Sequence, residues 1–419
     1  MRYAALLLAL LALASPAHAA RRGSQTVLVS GSTVEVPVTA LTRYAMCQGG
    51  ENRTWDNVLA DVQSVVPEGG KVSGLFFSLT NDLGAAGSTA ELTVMNGSSP
   101  TTVTCTITGG AGTERLCSST ATLAAVFEPG DLCSVRLVTT GTPAGSNASS
   151  WNMKFQSRHR NVMVLMGTGL EQSSTASRYG PLAGGIVNFF LTEASIGQVA
   201  PDSGMIRAIY GSTDTAPDPA PDDGTSTIRT YQVRVNGSSA SGAACNLSET
   251  DTACNATGLS NAIAAGDRVG LASLVTGTAS TGVTAKWGMA IVVPVANSTW
   301  VMRTSTTTSS TSAVGYMLVS AGSGAPAAAA TLQRQYFEFP ARVSKFRANI
   351  DGDPTPGSYV STLVKDGTGT AVGCTIFTGN TACSDADTET FDQNYSWIEV
   401  SPASTPTARR ARHSFVVTP

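Results

Sequence analysis

Three pairs of cysteines, each following a tight turn at nearly the same distance, constrain the fold of this chain more than any other feature. The turns are Asn-Gly or Asp-Gly dipeptides, with Gly97, Gly237 and Gly367 in second place. The first cysteine of each pair follows its glycine by 8, 8 and 7 residues. Such dipeptides favour the two-residue turn of a β-hairpin. The spacing therefore predicts one hairpin-containing module that occurs three times.

The repeat extends beyond the cysteines. Gly-Asp turns at Asp131 and Asp267 are each followed 20 residues later by a tryptophan. The same offset from Asn394 reaches Ser414, which predicts that the third copy keeps the strand but lacks the tryptophan. From these repeats we place the modules at residues 20–158, 159–296 and 297–419.

The composition favours sheets over helices. Charged residues make up 13% of the chain, against roughly 25% in an average soluble protein. Exposed helix faces use Glu, Lys, Arg and Gln, whereas a chain rich in Thr, Val, Ser and Gly with short, turn-bounded runs suits strands. We therefore predict an all-β protein of three tandem β-sandwich or jelly-roll domains, each with a hairpin disulfide.

The first 19 residues have the pattern of a signal peptide. Arg2 is followed by the apolar run "LLLALLALA" and by the small-residue pattern Ala17-His18-Ala19. No later stretch of the sequence reaches the roughly 18 uninterrupted apolar residues of a membrane helix. The chain is therefore expected to be secreted, to lie outside the cell or on its surface, and to have no transmembrane segment. Export also permits disulfides.

The cysteine pairs are interpreted as structural disulfides. Two cysteines on a strand-turn-strand run can face each other across an antiparallel hairpin. A zinc site is the alternative, but the pairs are not Cys-x-x-Cys and the mature chain has only His159 and His413. Cys47 and Cys133 remain in the first module and are paired by economy. The predicted bonds are Cys105–Cys117, Cys245–Cys254, Cys374–Cys383 and Cys47–Cys133.

The sequence offers little material for catalysis. Two histidines in the mature chain leave almost no Ser-His-Asp arrangement, and no Gly-x-Ser-x-Gly, phosphate-loop or His-Glu-x-x-His motif occurs. Acidic residues recur at loop positions in all three modules, as at Asp82 and Asp351, where they cap turns. We therefore predict that the protein is not an enzyme. The only basic cluster, at residues 408–413, is read as solvated charge, so no nucleic-acid partner is expected.

Two acidic loops are candidates for calcium. Their carboxylates stand among prolines in "STDTAPDPAPDDGTS" and "IDGDPTPG", and Ca²⁺ takes oxygen ligands from flexible loops. The alternative is an acidic surface loop stiffened by proline. No other cofactor is predicted. The candidate calcium ligands are Asp214, Asp222, Asp223, Asp351 and Asp353.

The order of motifs resembles a known group of jelly rolls. The runs "VPEGGKVSGLFFSL" and "APDSGMIRAIYG" precede an Asp-bearing loop, a strand ending in Asn-Gly and a late Gly-Asp turn. This order is similar to the tumour-necrosis-factor/C1q-like jelly-roll modules of bacterial surface and spore-coat proteins. The resemblance implies display, adhesion or assembly, often as a threefold cluster. The chain departs from it in its tandem modules, its added cysteine pairs and the lack of a collagen-like stalk.

Repetition without a unique catalytic constellation points to a structural role. We expect a secreted subunit of an extracellular filament, sheath or cell-surface coat that associates with copies of itself. The alternative is a glycan-binding, lectin-like adhesin, because lectin sites combine an exposed aromatic ring with carboxylates. Its candidate loops carry Trp55, Tyr179 and Asp222.

Overall fold

The structure is a computed structural model of the 419-residue chain. It describes residues 25–33, 36, 39–49, 55–84, 86–110, 115–120, 122–143, 148–171, 175–218, 226–278, 283–305, 307–317, 319, 322–323, 326–328, 335–337 and 340–418. The predicted signal peptide lies outside these residues. Apart from short 3-10 turns at Leu59–Val62 and Glu193–Ser195, the regular structure is β-strand. No helix in this part of the chain is long and apolar enough to cross a membrane.

The strands follow one another along the chain in three groups. The first group is β1 Gln25–Thr33, β2 Thr42–Met46, β3 Ser64–Val65, β4 Gly70–Leu79, β5 Thr89–Asn96, β6 Ser99–Thr108, β7 Leu116–Ser118, β8 Ala124–Phe127, β9 Leu132–Thr140 and β10 Ser149–Ser157. The second group is β11 Val162–Glu171, β12 Arg178–Gly180, β13 Gly184–Asn188, β14 Gln198–Val199, β15 Gly204–Thr213, β16 Ile228–Val235, β17 Ser238–Ser248, β18 Ala253–Ile263, β19 Arg268–Thr276 and β20 Val283–Val292. The third group is β21 Thr299–Thr304, β22 Gly315–Met317, β23 Gly322–Ser323, β24 Gln335–Phe337, β25 Ala341–Ile350, β26 Ser358–Lys365, β27 Thr368–Ile376, β28 Ala382–Asp385, β29 Glu389–Phe391, β30 Asn394–Ala403 and β31 Ala411–Thr418.

Each group forms two sheets of equivalent strand order, with one additional edge strand, β13 or β23, in the second and third groups. In the first group, one sheet runs β1-β10-β4-β7 with β8 also on β4, and the other runs β2-β9-β5-β6 with β3 also on β9. The second group gives β13-β11-β20-β15-β18, and β12-β19-β16-β17 with β14 also on β19. The third gives β23-β21-β31-β25-β28 with β29 also on β25, and β22-β30-β26-β27 with β24 also on β30. We call the sheet with the first and last strands of a group its inner sheet, and the other its outer sheet.

This strand order is that of a jelly roll. The chain crosses repeatedly between the two sheets, so that the first strand of each group lies beside the last, and β4, β15 or β25 lies on the other side of that last strand. The expected all-β fold of three tandem jelly rolls is thus the fold of this protein. The residue boundaries of the modules stay a prediction.

The structure joins all eight cysteines in four bonds, Cys47–Cys133, Cys105–Cys117, Cys245–Cys254 and Cys374–Cys383. Each of the three repeated bonds joins an outer-sheet edge strand to the next strand, which belongs to the inner sheet. The bond therefore closes one edge of the sandwich, and it does not link two strands of a single sheet. Cys47 and Cys133 instead belong to neighbouring chain segments of the first outer sheet, with their Cα atoms 5.7 Å apart.

A hydrogen bond also ties the two repeated turns together in every jelly roll. The Nδ2 group of Asn96 donates to Asp131, at 3.0 Å, and that of Asn236 donates to Asp267, at 2.7 Å. In the third jelly roll the residue types are exchanged. There Asn394, in the later turn, donates to Asp366, in the earlier turn, at 2.6 Å. The contact is kept although the donor and the acceptor have changed places.

In each of the first two jelly rolls, the last strand of the inner sheet carries a tryptophan that is buried in the core. Trp151 lies opposite Gly31 on the paired strand, and Trp287 lies opposite Gly167. The indole Nε1 of Trp151 donates to the main-chain oxygen of Cys47 at 3.2 Å, and that of Trp287 donates to the main-chain oxygen of Leu182 at 3.0 Å. Both acceptors follow the edge strand of an outer sheet. A Cβ atom on either glycine would come within 2.5 Å of the indole ring. The large ring therefore requires glycine opposite it.

In the third jelly roll, neither the glycine nor the tryptophan of this pair is present. Strand register places Arg303 opposite His413, and both side chains are buried. The tryptophan position of the repeat is thus His413, one residue before the expected Ser414. The loop between the Gly-Asp-like turn and the last strand is one residue shorter in this copy, which a fixed offset misses. A large side chain stands where the glycine was, and a smaller one replaces the tryptophan.

The close packing of Trp287 against Gly167 can be tested by substitution. Replacing Gly167 by alanine is expected to lower the free energy of unfolding by roughly 1–3 kcal/mol, because the added methyl would meet the Trp287 ring and the main-chain oxygen of Gly184, each at 2.5 Å. Chemical denaturation measures this loss. The matched control is Gly369→Ala, also in a strand, where the nearest atom would be Thr362 Cγ2 at 3.5 Å. Equal losses in both variants would contradict the packing account.

Candidate functional site: a ring of junctions and a basic groove

The three jelly rolls contact one another in cyclic order. Strand β3 of the first lies against β11, β15 and β20 of the second, and β14 of the second lies against β21 and β31 of the third. Strand β24 of the third returns to β10 of the first. In each junction, a short strand from an outer sheet meets the inner sheet of the next jelly roll. The contacts therefore close a ring within one chain.

The first junction joins the first and second jelly rolls by close backbone approach. The Oε1 atom of Gln48 accepts a hydrogen bond from the main-chain N–H of Met166 at 2.7 Å. Asp61 accepts one from the hydroxyl of Thr284 at 2.9 Å. A Cβ on Gly288 would lie 2.1 Å from the main-chain oxygen of Val65. Glycine at this position lets the two backbones touch.

The second junction, between the second and third jelly rolls, is polar. Gln198, buried in β14, donates through Nε2 to the main-chain oxygen of Met302 at 2.8 Å. Lys345 forms an ion pair with Asp202 at 2.5 Å. Arg347 donates to the main-chain oxygen of Pro201 at 3.1 Å, and Arg412 donates to that of Ala194.

The third junction closes the ring with aromatic packing. The rings of Phe76 in β4 and Tyr336 in β24 stack with their centroids 4.8 Å apart and their planes at 19°. Asn152 donates through Nδ2 to the main-chain oxygen of Tyr336 at 2.5 Å, and Gln335 donates to that of Trp151 at 3.3 Å. Gln335 holds the same strand position as Gln198 of the second junction, so both glutamines bind the neighbouring inner sheet.

The hydrophobic cores also cross the junctions. Buried side chains of the first two jelly rolls form one continuous core, which extends to Trp300, Met302 and Val416 of the third. The remaining buried side chains of the third jelly roll form a core of their own. Because apolar burial supplies most of the free energy of association, the first two jelly rolls are joined as one body.

A groove of about 670 Å³ opens beside the second junction. Pro201, Asp202 and Val295 line one side of it, and strand β25 lines the other. Its floor is apolar, since Phe346 and Val416 are buried there. Its volume lies within the range of about 300–1,000 Å³ that is typical of small-molecule sites.

A bulge in β25 gathers three cations at this groove. The register against β31 shifts between Ser344 and Arg347, so β25 carries one extra residue there. Val343 and Phe346 on either side of the shift point into the core, while Arg342, Lys345 and Arg347 line the groove. A bulge of this kind redirects side chains that regular alternation would separate. No sequence motif announced the set, although three cations within six residues of "ARVSKFR" were a visible signal.

Lys345 has an unusual backbone conformation. Its φ is +55°, in the left-handed region that glycine favours. The first jelly roll has Gly74 at the equivalent bulge position, with φ +60°. A lysine here carries a backbone strain of order 1 kcal/mol that a glycine would not. Its ion pair with Asp202 offsets part of that strain.

The calcium candidates are engaged in local hydrogen bonds. Asp351 accepts from the main-chain N–H of Arg410 at 3.0 Å, and Asp214 accepts from that of Thr284 at 2.9 Å. Hydrogen bonds from the Thr355 hydroxyl, then from backbone N–H groups, lower the pKa of Asp353. Within the described residues, no three His, Cys, Asp or Glu side chains could hold a metal ion together. Calcium binding stays a prediction, since Asp222 and Asp223 lie outside those residues.

Of the residues proposed for sugar binding, the structure describes Trp55 and Tyr179. Trp55 is buried and packs against Trp151 with ring centroids 5.5 Å apart, so it presents no exposed ring. Tyr179 is half-buried and bonds through its backbone to Phe190. Asp222 lies outside the part of the chain that the structure describes.

One histidine stands beside a serine, but in the core. His413 Nε2 and Ser361 Oγ are 2.9 Å apart, and both side chains are buried. Burial, and next the charge of Arg303, lowers the pKa of His413 to about 3. The histidine is thus neutral at physiological pH. Because no substrate reaches this pair, its geometry is that of core packing.

Comparisons with known proteins give only distant matches. No protein-family model and no curated protein matches the sequence. Among solved structures, a chain of the Sulfolobus turreted icosahedral virus is 11% identical over 84% of this chain and 80% of its own, with a TM-score of 0.17. A chain from the triple jelly roll fold and turret assembly of an archaeal virus is 10% identical over 93% and 90%, with a TM-score of 0.16. PNGF-II is 8% identical over 63% and 65%, with a TM-score of 0.18. At these TM-scores the matches carry no argument about function.

Proposed function

We propose that the protein is a secreted structural subunit of an extracellular coat, sheath or filament. The observation that carries this proposal is the closed ring of three junctions in one chain. In tumour-necrosis-factor/C1q-like assemblies, which the sequence resembles, jelly rolls serve display and assembly, often as threefold clusters. Here covalent linkage supplies the three copies, so the unit forms at any concentration.

The exposed surface suits repeated contacts with further copies. Along the outer-sheet edge strands, exposed positions alternate with buried ones, as in β6, and they are mostly Ser and Thr. Four disulfides, each within one jelly roll, stabilise the individual jelly rolls, as suits the oxidising conditions outside the cell. Since the inner sheets are occupied in the ring, copies of the chain meet through their outer sheets and free edges.

Opening the ring tests the proposal. The double variant Asn152→Ala with Tyr336→Ala removes the stacked ring and a hydrogen bond of the third junction. We expect the wild-type radius of gyration to be about 21 Å, as for one compact body of this length, and that of the variant to be larger by X-ray scattering. By electron microscopy, the wild type should form ordered polymers or sheets as its concentration rises, and the variant should not.

The control is Phe377→Ala, which removes an aromatic ring that is 61% exposed on a turn of the third jelly roll. It should leave the radius of gyration unchanged, because this ring lies outside the third junction. Wild-type protein that stays as single particles at every concentration, and that binds a glycan array saturably, would replace the structural role by the adhesin. Sensitivity of that binding to a chelator would also support calcium.

A further inference from the structure

We propose that the groove beside the second junction binds a small ligand that carries an oxyanion, a carboxylate, sulfate or phosphate group. This site goes beyond the structural role. It is built on a scaffold that occurs three times, but the full set of three cations occurs only in the third jelly roll. At the positions of Arg342, Lys345 and Arg347, the first jelly roll has Lys71, Gly74 and Phe76, and the second has Met205, Ala208 and Tyr210.

The charges in the groove leave two arginines for a ligand. Lys345 is paired with Asp202. The carboxylate of Asp385 also lines the groove, but it accepts hydrogen bonds from the main-chain N–H groups of Gly373, in β27, and of Asp387, at 2.8 and 3.0 Å. Within the described residues, neither Arg342 nor Arg347 has an ion pair.

The geometry of each arginine fits an oxyanion. Arg347 is positioned by its Nε bond to Pro201, at 3.1 Å, which leaves other guanidinium N–H groups. Arg342 is exposed at the other end of the bulge and makes a long bond of 3.4 Å to Thr388. A planar guanidinium binds carboxylate, sulfate or phosphate through two parallel hydrogen bonds. The hydroxyls of Ser344 and Ser384 line the same groove and can donate to further oxygens.

Lys345 has a strained backbone conformation, with φ at +55°. A non-glycine residue in the left-handed region persists where the surroundings fix it, and such residues cluster at ligand sites. Here the bulge needs that conformation, and the first jelly roll meets the need with Gly74. A lysine at this position holds Asp202 away from the arginines by pairing with it. The groove thereby keeps its positive character.

The test is calorimetric titration of the full chain with four probes: inorganic sulfate, inorganic phosphate, galacturonate and a sulfated disaccharide. We expect saturable binding of at least one probe, weakened by salt, and roughly tenfold weaker for Arg342→Gln, which removes one charge-assisted contact. The matched control is Lys71→Gln, which removes an exposed cation at the equivalent position of the first jelly roll. It should bind as the wild type does.

The probes distinguish the source of the oxyanion. Tighter binding of the two sugars than of the free ions would identify an acidic glycan, and equal binding would identify the anion alone. The proposal fails if no probe binds saturably, or if Arg342→Gln and Lys71→Gln weaken binding equally. Arg342 is exposed, so its variant should keep the wild-type melting temperature, and this measurement separates loss of the site from loss of the fold.

Discussion

Replacing Cys47 by leucine and Cys133 by valine is expected to lower the free energy of unfolding of the first jelly roll by about 4.5 kcal/mol. The bond closes a loop of 86 residues, far longer than the others. In the chain-entropy model, a longer closed loop restricts the unfolded chain more. Scanning calorimetry under non-reducing conditions measures the loss.

The chosen side chains make this a test of the cross-link alone. The second jelly roll has Leu182 and Val269 at the equivalent positions. Its Trp287 donates to the main-chain oxygen of Leu182 as Trp151 does to that of Cys47. The two residues therefore fill the same site without a bond, and lost packing adds little to the measured effect.

A short loop supplies the comparison. Replacing Cys245 and Cys254 by alanine opens a loop with a sequence separation of 9. The same model gives about 2.5 kcal/mol for that loop. If the two double variants lost the same free energy, the stabilisation would come from local contacts at the sulfur atoms, and the length of the loop would be irrelevant.

Turn chemistry made the jelly rolls predictable from the sequence. Distances between turns are set by strand lengths, which the repeated fold preserves while other residues change. The exchange of Asn and Asp between Asp366 and Asn394 shows how firmly the contact is kept. A dipeptide that favours a hairpin therefore located the same strand pair in all three copies.

The strand register, and the sheets that each disulfide joins, were harder to predict from the sequence. A fixed offset placed the lost tryptophan at Ser414, whereas pairing with β21 places it at His413. Cysteines that are 9 residues apart are compatible both with one sheet and with two facing sheets, and only the tertiary structure separates these cases. The replacement of the glycine–tryptophan pair by Arg303 and His413 likewise becomes apparent only once the strand register is known.

The junctions and the groove depend on contacts between distant residues. Gln335 and Trp151 are 184 positions apart, and no local pattern links them. The burial of Trp55, a candidate for sugar binding, follows from packing against Trp151 and not from its own loop. The cations of β25 meet because of a bulge, which no residue type in that strand signals. Sequence could therefore predict the repeated all-β fold but not the site between its copies.

Acidification is expected to destabilise the third jelly roll through His413. The folded protein holds this histidine neutral, with its pKa at about 3, because burial and then Arg303 disfavour the imidazolium. In the unfolded chain the pKa is near the ordinary value of about 6.5. The unfolded state therefore binds the proton first, and stability is complete above pH 6.5 and is lost as the pH falls towards 3.

The expected loss is about 1.4 kcal/mol for each pH unit in that window, or roughly 4–5 kcal/mol in all. Carboxylates titrate in the same range, so the difference between wild type and His413→Gln isolates the histidine. Glutamine does not titrate and its amide can still bond to the hydroxyl of Ser361, which lies 2.9 Å from His413 Nε2. Urea unfolding at pH 7, 5.5 and 4 should show the wild type losing stability faster than the variant. Parallel pH profiles would mean that a neutral, buried His413 does not limit the acid stability of this jelly roll.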